Sequence, residues 1–145
     1  MKFFSLFIFP FLSIAQQESF KLCDSHITEK WKPQYYSFKA KYPLSSEKLT
    51  ERANKVLVYQ PKNIDGFLTI RFMVNCKGQT GHYETYQINN NYQTTVFEQK
   101  YVVQLLTFIK NLNDWKIANY QEMAYDYYTY FTFKIEHGVI MEIVP

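Results

Sequence analysis

The chain has 145 residues, of which 47% are apolar and 19% are aromatic, with only four glycines and five prolines. A chain of this length and composition can bury roughly two-thirds of its unfolded surface, so we expect one compact domain and exclude a disordered or collagen-like protein. Its formal charge of +3 comes from dispersed residues without a basic run, which makes nucleic acid an unexpected partner.

The N-terminal residues have the pattern of a secretory signal peptide. Lys2 is followed by an almost unbroken apolar run to Ile14, and small residues lead to a predicted cleavage point after Ala15. The run is interrupted by a proline and is shorter than the roughly 20 apolar residues of a membrane-spanning helix. We therefore expect residues 1–15 to be a cleaved leader, the protein to be periplasmic or secreted, and no membrane span to remain after cleavage.

Two cysteines, Cys23 and Cys76, follow the leader, and an even number of cysteines in an oxidising compartment predicts one disulfide. One alternative is a metal site in which His26 and His82 join the two sulfurs, although this spacing matches no closed structural zinc pattern. Another alternative is a nucleophilic cysteine with a histidine base, which no local motif supports.

Residues 16–62 are predicted to form a covering arm and a short helix. Aromatic residues early in this segment favour packing on the rest of the domain, with a short strand over residues 34–40. Ser45 or Ser46 can cap a helix over residues 46–55. Its apolar positions recur at helical spacing: Leu49, Ala53 and Val56.

A β-hairpin is predicted after a turn that ends at Gly66. Residues 67–74 alternate between two faces, which is typical of a strand with one buried side. Turn residues at 76–79 lead to a second strand over residues 82–88. One face of the first strand is fully apolar: Leu68, Ile70, Phe72 and Val74.

A long amphipathic helix is predicted next, with Thr94 or Thr95 as its cap. An apolar stripe spaced by threes and fours runs over more than four turns: Phe97, Tyr101, Val102, Leu105, Phe108, Ile109 and Leu112. A stripe of this kind is typical of a helix face in the core.

The C-terminal part is rich in strand-forming residues. Residues 125–135 carry aromatic side chains on both faces, and residues 139–144 can return as a last short strand after a turn. The predicted fold class is α+β. A small antiparallel sheet, made of the hairpin and one or two C-terminal strands, packs on the long helix and the shorter N-terminal helix.

The order of hairpin, long helix and strand resembles the C-terminal domain of the TonB energy transducers of Gram-negative bacteria. Three stretches carry the resemblance: GFLTIRFMVN at residues 66–75 with Gly78 at the turn, LLTFIKNLNDWK at residues 105–116, and YTYFTF at residues 128–133. It implies a ββαβ domain over residues 63–145. The family's membrane anchor and proline-rich spacer are not recognisable here, and Ile117 stands where the family usually has proline. An energy-transducing role is therefore not expected.

The resemblance implies a binding mode in which an extended peptide adds to the edge of a sheet. The predicted edge is the tyrosine-rich strand: Tyr127, Tyr128, Thr129, Tyr130, Phe131 and Phe133. The alternative is that residues 139–144 pair with this edge and close it, as protection against aggregation requires. We predict an exported, non-enzymatic protein-binding or envelope-accessory domain, with an envelope protein or peptide as partner and no cofactor.

A second hypothesis is a small secreted hydrolase or metal-dependent enzyme. It would use His26, His82 and His137 with a carboxylate such as Asp24 or Glu84. Catalysis requires these groups to converge within hydrogen-bond reach, and their spacing in the sequence predicts no convergence. No catalytic or metal-binding residue is therefore assigned from the sequence.

Overall fold

The computed structural model describes residues 19–23 and 33–145. The predicted leader, Asp24 and His26 lie outside the described residues. No helix in the described part of the chain is long and apolar enough to cross a membrane. The elements are the 3-10 helix Tyr35–Phe38, helix α1 (Ser46–Val56), strands β1 (Gly66–Val74) and β2 (Thr80–Ile88), helix α2 (Gln99–Lys110), and strands β3 (Ala118–Tyr120), β4 (Met123–Tyr125), β5 (Tyr127–Glu136) and β6 (Val139–Val144).

Four strands form an antiparallel sheet in the order β2-β1-β5-β6, and β3 and β4 form a separate two-stranded ribbon. The predicted α+β class is confirmed. β1 pairs with β5 over its whole length, from Gly66 opposite Ile135 to Val74 opposite Tyr127. β1 and β5 are therefore the central strands, and β2 and β6 are the edges.

One face of the central strands forms the core, because alternate side chains point to the same side of a sheet. The inward side chains of β1 and β5 are at most 5% exposed: Leu68, Ile70, Phe72, Val74, Tyr127, Thr129, Phe131, Phe133 and Ile135. α2 packs on this face, with the ring of Phe108 centred 6.4 Å from the ring of Phe133. Trp115, which follows α2, packs on Phe72 and Tyr42 at ring distances of 5.1 and 4.5 Å.

Helix α2 begins at Gln99, five residues after the earlier of the two predicted caps. Thr94 bridges the end of β2, the N–H of Thr95 donates to the Gln87 carbonyl at 3.1 Å, and the N–H of Phe97 donates to Gln87 Oε1 at 2.6 Å. These bonds hold the chain extended before the helix. Neither threonine is therefore the cap, and the predicted start of the helix is wrong.

One further local prediction is corrected and one element was not predicted. The segment predicted as a strand over residues 34–40 contains the 3-10 helix Tyr35–Phe38 instead, and the N–H of Ala40 donates to the Tyr35 carbonyl at 2.9 Å. Only Gln34 makes a β bridge in this segment. Residues 118–125 form the β3 and β4 ribbon, which the sequence pattern did not predict. The last strand is found where it was predicted, at residues 139–144.

Helix α1 covers the outer edge of β6 with polar side chains spaced four residues apart, Ser46, Thr50 and Asn54. The Asn54 amide donates to the Ile140 carbonyl at 2.7 Å and accepts from the Ile140 N–H at 3.1 Å, as a neighbouring strand would. Thr50 Oγ1 accepts from the N–H of Ile143 at 3.0 Å, and Ser46 Oγ donates to the carbonyl of the same residue. Residues four apart lie on the same face of a helix. One row of side chains on α1 therefore forms hydrogen bonds with the backbone groups at the outer edge of β6.

Asn54→Ala is expected to lower the free energy of unfolding by about 2 kcal/mol, because both backbone groups of Ile140 lose their partner. Urea denaturation measures this change. Lys48→Ala, at an exposed position of the same helix, is the matched control and should change the free energy by less than about 0.5 kcal/mol. Equal effects of the two substitutions would contradict the role of Asn54 at the edge.

Two buried tyrosine hydroxyls tie stability to alkaline pH. Tyr101 donates to the Gly138 carbonyl at 2.8 Å, and Tyr127 donates to the Lys116 carbonyl at 2.8 Å. Burial raises the pKa of both phenols well above the ordinary value of 10.0. The folded state therefore keeps these protons at pH values where the unfolded chain loses them. Stability that is fully present below pH 10 is lost as the pH rises toward the folded-state pKa.

We expect the free energy of unfolding to fall as the pH rises above about 10, and to fall less in the double variant Tyr101→Phe, Tyr127→Phe. The double variant starts from a lower value, because two carbonyls lose their donors. Urea denaturation at several pH values measures both profiles. Tyr86→Phe, at a tyrosine that is 53% exposed, is the control and should leave the alkaline slope unchanged. A double variant with the original slope would refute this account.

Candidate functional site

The tyrosine-rich strand that was predicted as a binding edge lies inside the sheet. β5 pairs with β1 on one side, and on its other side Phe133 stands opposite Ile143 of β6. Beyond the end of β6, the N–H of Tyr128 donates to the Pro33 carbonyl at 2.8 Å, and Gln34 forms a parallel bridge with the same tyrosine. β6 pairs with the C-terminal half of β5 and closes it, as the alternative prediction for residues 139–144 expects.

The side chains of the predicted edge are divided between the two faces of the sheet. Four of them are buried in the core: Tyr127, Thr129, Phe131 and Phe133. Tyr128 and Tyr130 lie on the opposite face, where the guanidinium of Arg71 is 4.1 Å from the centre of the Tyr128 ring. The prediction of an open edge is therefore corrected, because pairing between distant parts of the chain places β5 between two neighbours.

Cys23 and Cys76 form the predicted disulfide, which joins positions 53 residues apart. The fully buried Asp126 accepts the N–H of Cys23 at 2.8 Å with Oδ2 and the N–H of Cys76 at 3.0 Å with Oδ1. Its carboxylate and the two sulfurs lie within 4.8 Å of one another. A thiolate is the form of cysteine that binds metal, so the metal interpretation applies only to the reduced chain.

The disulfide attaches residues 19–23 to the turn between β1 and β2, and Asn75 strengthens this attachment. Asn75 Oδ1 accepts from the N–H groups of Lys77 and Gln79, while Nδ2 donates to the Lys21 carbonyl at 3.0 Å and to Gln79 Oε1 at 2.9 Å. Hydrogen bonds between an asparagine side chain and the backbone of the residues that follow it commonly stabilise a turn. Residues 19–23, called the arm below, are thus held beside the turn.

A cleft of about 580 Å³ opens between the arm, the start of β2 and the loop after α2. Phe20 of the arm forms one wall by packing on Gly81, where a Cβ would lie only 2.3 Å from the ring. Tyr83 and Trp115 contribute further aromatic surface, and Lys110 Nζ is 5.1 Å from the centre of the Tyr83 ring. Burial raises the pKa of the Tyr83 phenol above its ordinary value of 10.0.

A second cleft of about 340 Å³ lies beside the first, and Ser19 and Gln79 line both. Its other lining residues come from the arm and the turn, including Lys21, Lys77 and the disulfide residue Cys23. The two clefts therefore form one continuous depression along the hairpin end of the sheet.

β2 is an edge strand whose outer side is open over part of its length. The Gln87 carbonyl accepts from Thr95, so the backbone groups of Thr85 and Tyr83 turn to the same outer side. Within residues 19–23 and 33–145, no group outside the β1–β2 ladder forms a hydrogen bond with the backbone of Thr85 or Tyr83. A bulge at His82, whose φ is 55°, ends the regular stretch.

The two histidines that the structure describes lie at opposite ends of β1. His82 is next to the position paired with Met73, whereas His137 follows β5 near the position paired with Gly66. Seven residues of strand separate these ends by about 20 Å. His137 is exposed, and its Nδ1 lies 3.8 Å from Asp65 Oδ1. The structure does not bring His82 and His137 together as the enzyme hypothesis requires.

No family model, curated protein or solved structure matches the chain. Sequence reasoning missed both the open edge and the cleft. The polar composition of residues 82–87 was the available signal for an edge strand, since charged and polar residues are typical there. The cleft joins three segments that are distant in the sequence and had no local signal.

Asp126→Asn is expected to lower the free energy of unfolding by about 2 to 3 kcal/mol. The asparagine side chain has only one oxygen, so its NH₂ group would face one of the two backbone N–H groups, and two donors cannot form a hydrogen bond. The comparison uses protein without free thiols, so that the disulfide is intact in both forms. Asp114→Asn, at an exposed loop position, is the control and should have little effect. Similar stability of the two variants would contradict the role of Asp126 in holding the arm.

Proposed function

We propose that this protein is an exported, non-enzymatic binding domain that takes up an extended peptide as an additional strand on β2. The observation that carries the proposal is the open outer side of β2 at Tyr83 and Thr85. Unpaired N–H and C=O groups on an edge strand are a template for pairing with another chain.

The chain itself adds an extended segment to this edge. Thr94 pairs with Ile88 in an antiparallel bridge, and the N–H of Thr95 donates to the Gln87 carbonyl at 3.1 Å. This segment occupies only the C-terminal end of β2. A peptide lying along β2 would continue the same row of hydrogen bonds from Thr85 toward the bulge.

Side chains beside the open row would contact alternate residues of the peptide. Tyr86 is 53% exposed, and its hydroxyl donates to Glu84 Oε2 at 2.9 Å. Tyr83 and Thr85 point to the other face. Main-chain bonds would supply affinity and these side chains would supply selectivity, with tyrosine well suited to an interface because it is both apolar and hydrogen-bonding.

Different features support the exported, non-enzymatic and peptide-binding parts of the proposal. The predicted leader and the disulfide favour an oxidising compartment outside the cytoplasm. The separation of His82 from His137 disfavours the enzyme hypothesis. The resemblance to the C-terminal domain of TonB transducers favours a peptide or envelope protein as partner, although the edge proposed here is β2 and not residues 127–133.

Peptide selection tests the proposal. A displayed library of random peptides is selected on the full exported chain with its disulfide intact, and the selected peptides are synthesised. We expect binders whose affinity falls about tenfold or more on Thr85→Pro, because proline removes the outward N–H. Thr85→Val keeps that N–H and is the matched control, with an expected change of less than about twofold.

The peptide offers a second measurement that does not depend on a protein variant. N-methylation at successive positions should weaken binding at alternate positions, because every second N–H of a strand faces its partner. The free energy of unfolding of both Thr85 variants is measured to verify folding. A selection without binders, or binders indifferent to both Thr85→Pro and N-methylation, would overturn strand addition on β2.

A further inference from the structure

The larger cleft lies where a peptide on β2 would leave the strand. Gly81 and Tyr83 line the cleft, and the open row of backbone groups begins at Tyr83 and continues to Thr85. The volume of about 580 Å³ is within the range of ligand-binding clefts. A side chain or chain end of the bound peptide would therefore enter this space.

The lining of the two clefts is cationic. Lys110 lines the larger cleft and Lys21 the smaller, while no Asp or Glu is among the described lining residues of either. Neither of these lysines forms an ion pair with another residue in the part of the chain that the structure describes. Gln79 lines both clefts and adds a donor, because its Oε1 accepts from Asn75 and its Nε2 has no hydrogen-bond acceptor among the described residues.

Lys110 is held at the cleft by its surroundings. Its Nζ lies 5.1 Å from the centre of the Tyr83 ring, a distance at which the ring face attracts a cation. The hydrogen bond of 2.6 Å between Tyr83 Oη and Thr80 Oγ1 fixes the ring. Lys110 is also the last residue of α2, where the helix carbonyls favour a positive charge. The ammonium is thus positioned at the cleft, and no carboxylate of residues 19–23 and 33–145 forms an ion pair with it.

We infer that this cleft binds a carboxylate carried by the peptide that pairs with β2. The inference rests on the proposed function for the path of the peptide. The positive charge of the cleft and its excess of donors match an acceptor-only group with negative charge. The carboxylate belongs either to an Asp or Glu side chain or to the C-terminus of the peptide, and both present the same group to Lys110.

Lysine variants test the inference with the peptides selected on the native chain. Lys110→Gln is expected to weaken binding about fivefold, and Lys21→Gln with Lys110→Gln about twentyfold, which is the upper range for exposed ion pairs. Lys100→Gln, in the first turn of α2, makes the same charge change outside the cleft and should have an effect of less than about twofold. Raising the salt concentration from about 0.05 to 0.5 M should reduce the difference between Lys110→Gln and the native chain.

Two series of peptides distinguish the sources of the carboxylate. Amidation of the C-terminus removes it if the chain end supplies it, and Asp→Asn or Glu→Gln removes it if a side chain does. One of these changes should weaken binding by about the same factor as Lys110→Gln. In a double-mutant cycle the two losses should not add, because both remove one interaction.

The outcomes separate this inference from the proposed function. If Thr85→Pro abolishes binding while Lys110→Gln behaves like Lys100→Gln, strand addition stands and the carboxylate site is overturned. If Thr85→Pro has no effect while Lys110→Gln still weakens binding, strand addition is overturned and the carboxylate preference of the cleft is supported alone. Loss of binding in both variants, with Lys100→Gln unchanged, supports both.

Discussion

The structure depends on how the backbone groups at the edges of its sheet are satisfied. An edge strand has a row of N–H and C=O groups that costs free energy when buried and invites pairing when exposed. On β6 the side chains of Asn54, Thr50 and Ser46 replace a neighbouring strand. Beyond the end of β6, the segment at Pro33 bonds to β5. These contacts bring α1 and the segment at Pro33 onto the sheet, and β2 is the edge with an open row.

The arm connects the disulfide to the cleft. Cys23 is fixed by its bond to Cys76 and by Asp126, and the carbonyl of Lys21 is fixed by Asn75. These contacts hold Phe20 over Gly81, which forms the wall of the cleft. The buried carboxylate and the crosslink therefore have a role beyond global stability. They determine whether the depression beside β2 has a defined shape.

The sequence predicted those parts of the fold in which a periodic pattern is buried on one side. The alternation of residues 67–74 and the stripe from Tyr101 to Ile109 both face the core, because burial of apolar area dominates their energetics. The start of α2 was wrong, since bonds from Thr95 and Phe97 to Gln87 hold the preceding residues extended. Such hydrogen bonds join polar groups of different elements, and they produce no periodic pattern of apolar residues from which they could be predicted.

The binding edge could not be predicted for a related reason. The tyrosine content of residues 127–133 is a local property, whereas the position of a strand within a sheet depends on which distant segments pair with it. The disulfide was predictable because cysteine number and compartment are sufficient to suggest it. The cleft required the turn, the arm and the end of α2 to be brought together, which only the folded chain does.

The limited length of the open row on β2 favours a peptide over a second copy of the chain. The bulge at His82 ends the row on one side, and Thr94 and Thr95 cover it on the other. Edge strands that are short, bulged and charged resist pairing with one another, and Glu84 lies in the middle of this row. A peptide does not meet this obstacle, because it is narrow enough for the open row, and a carboxylate on it has the opposite charge to the cleft.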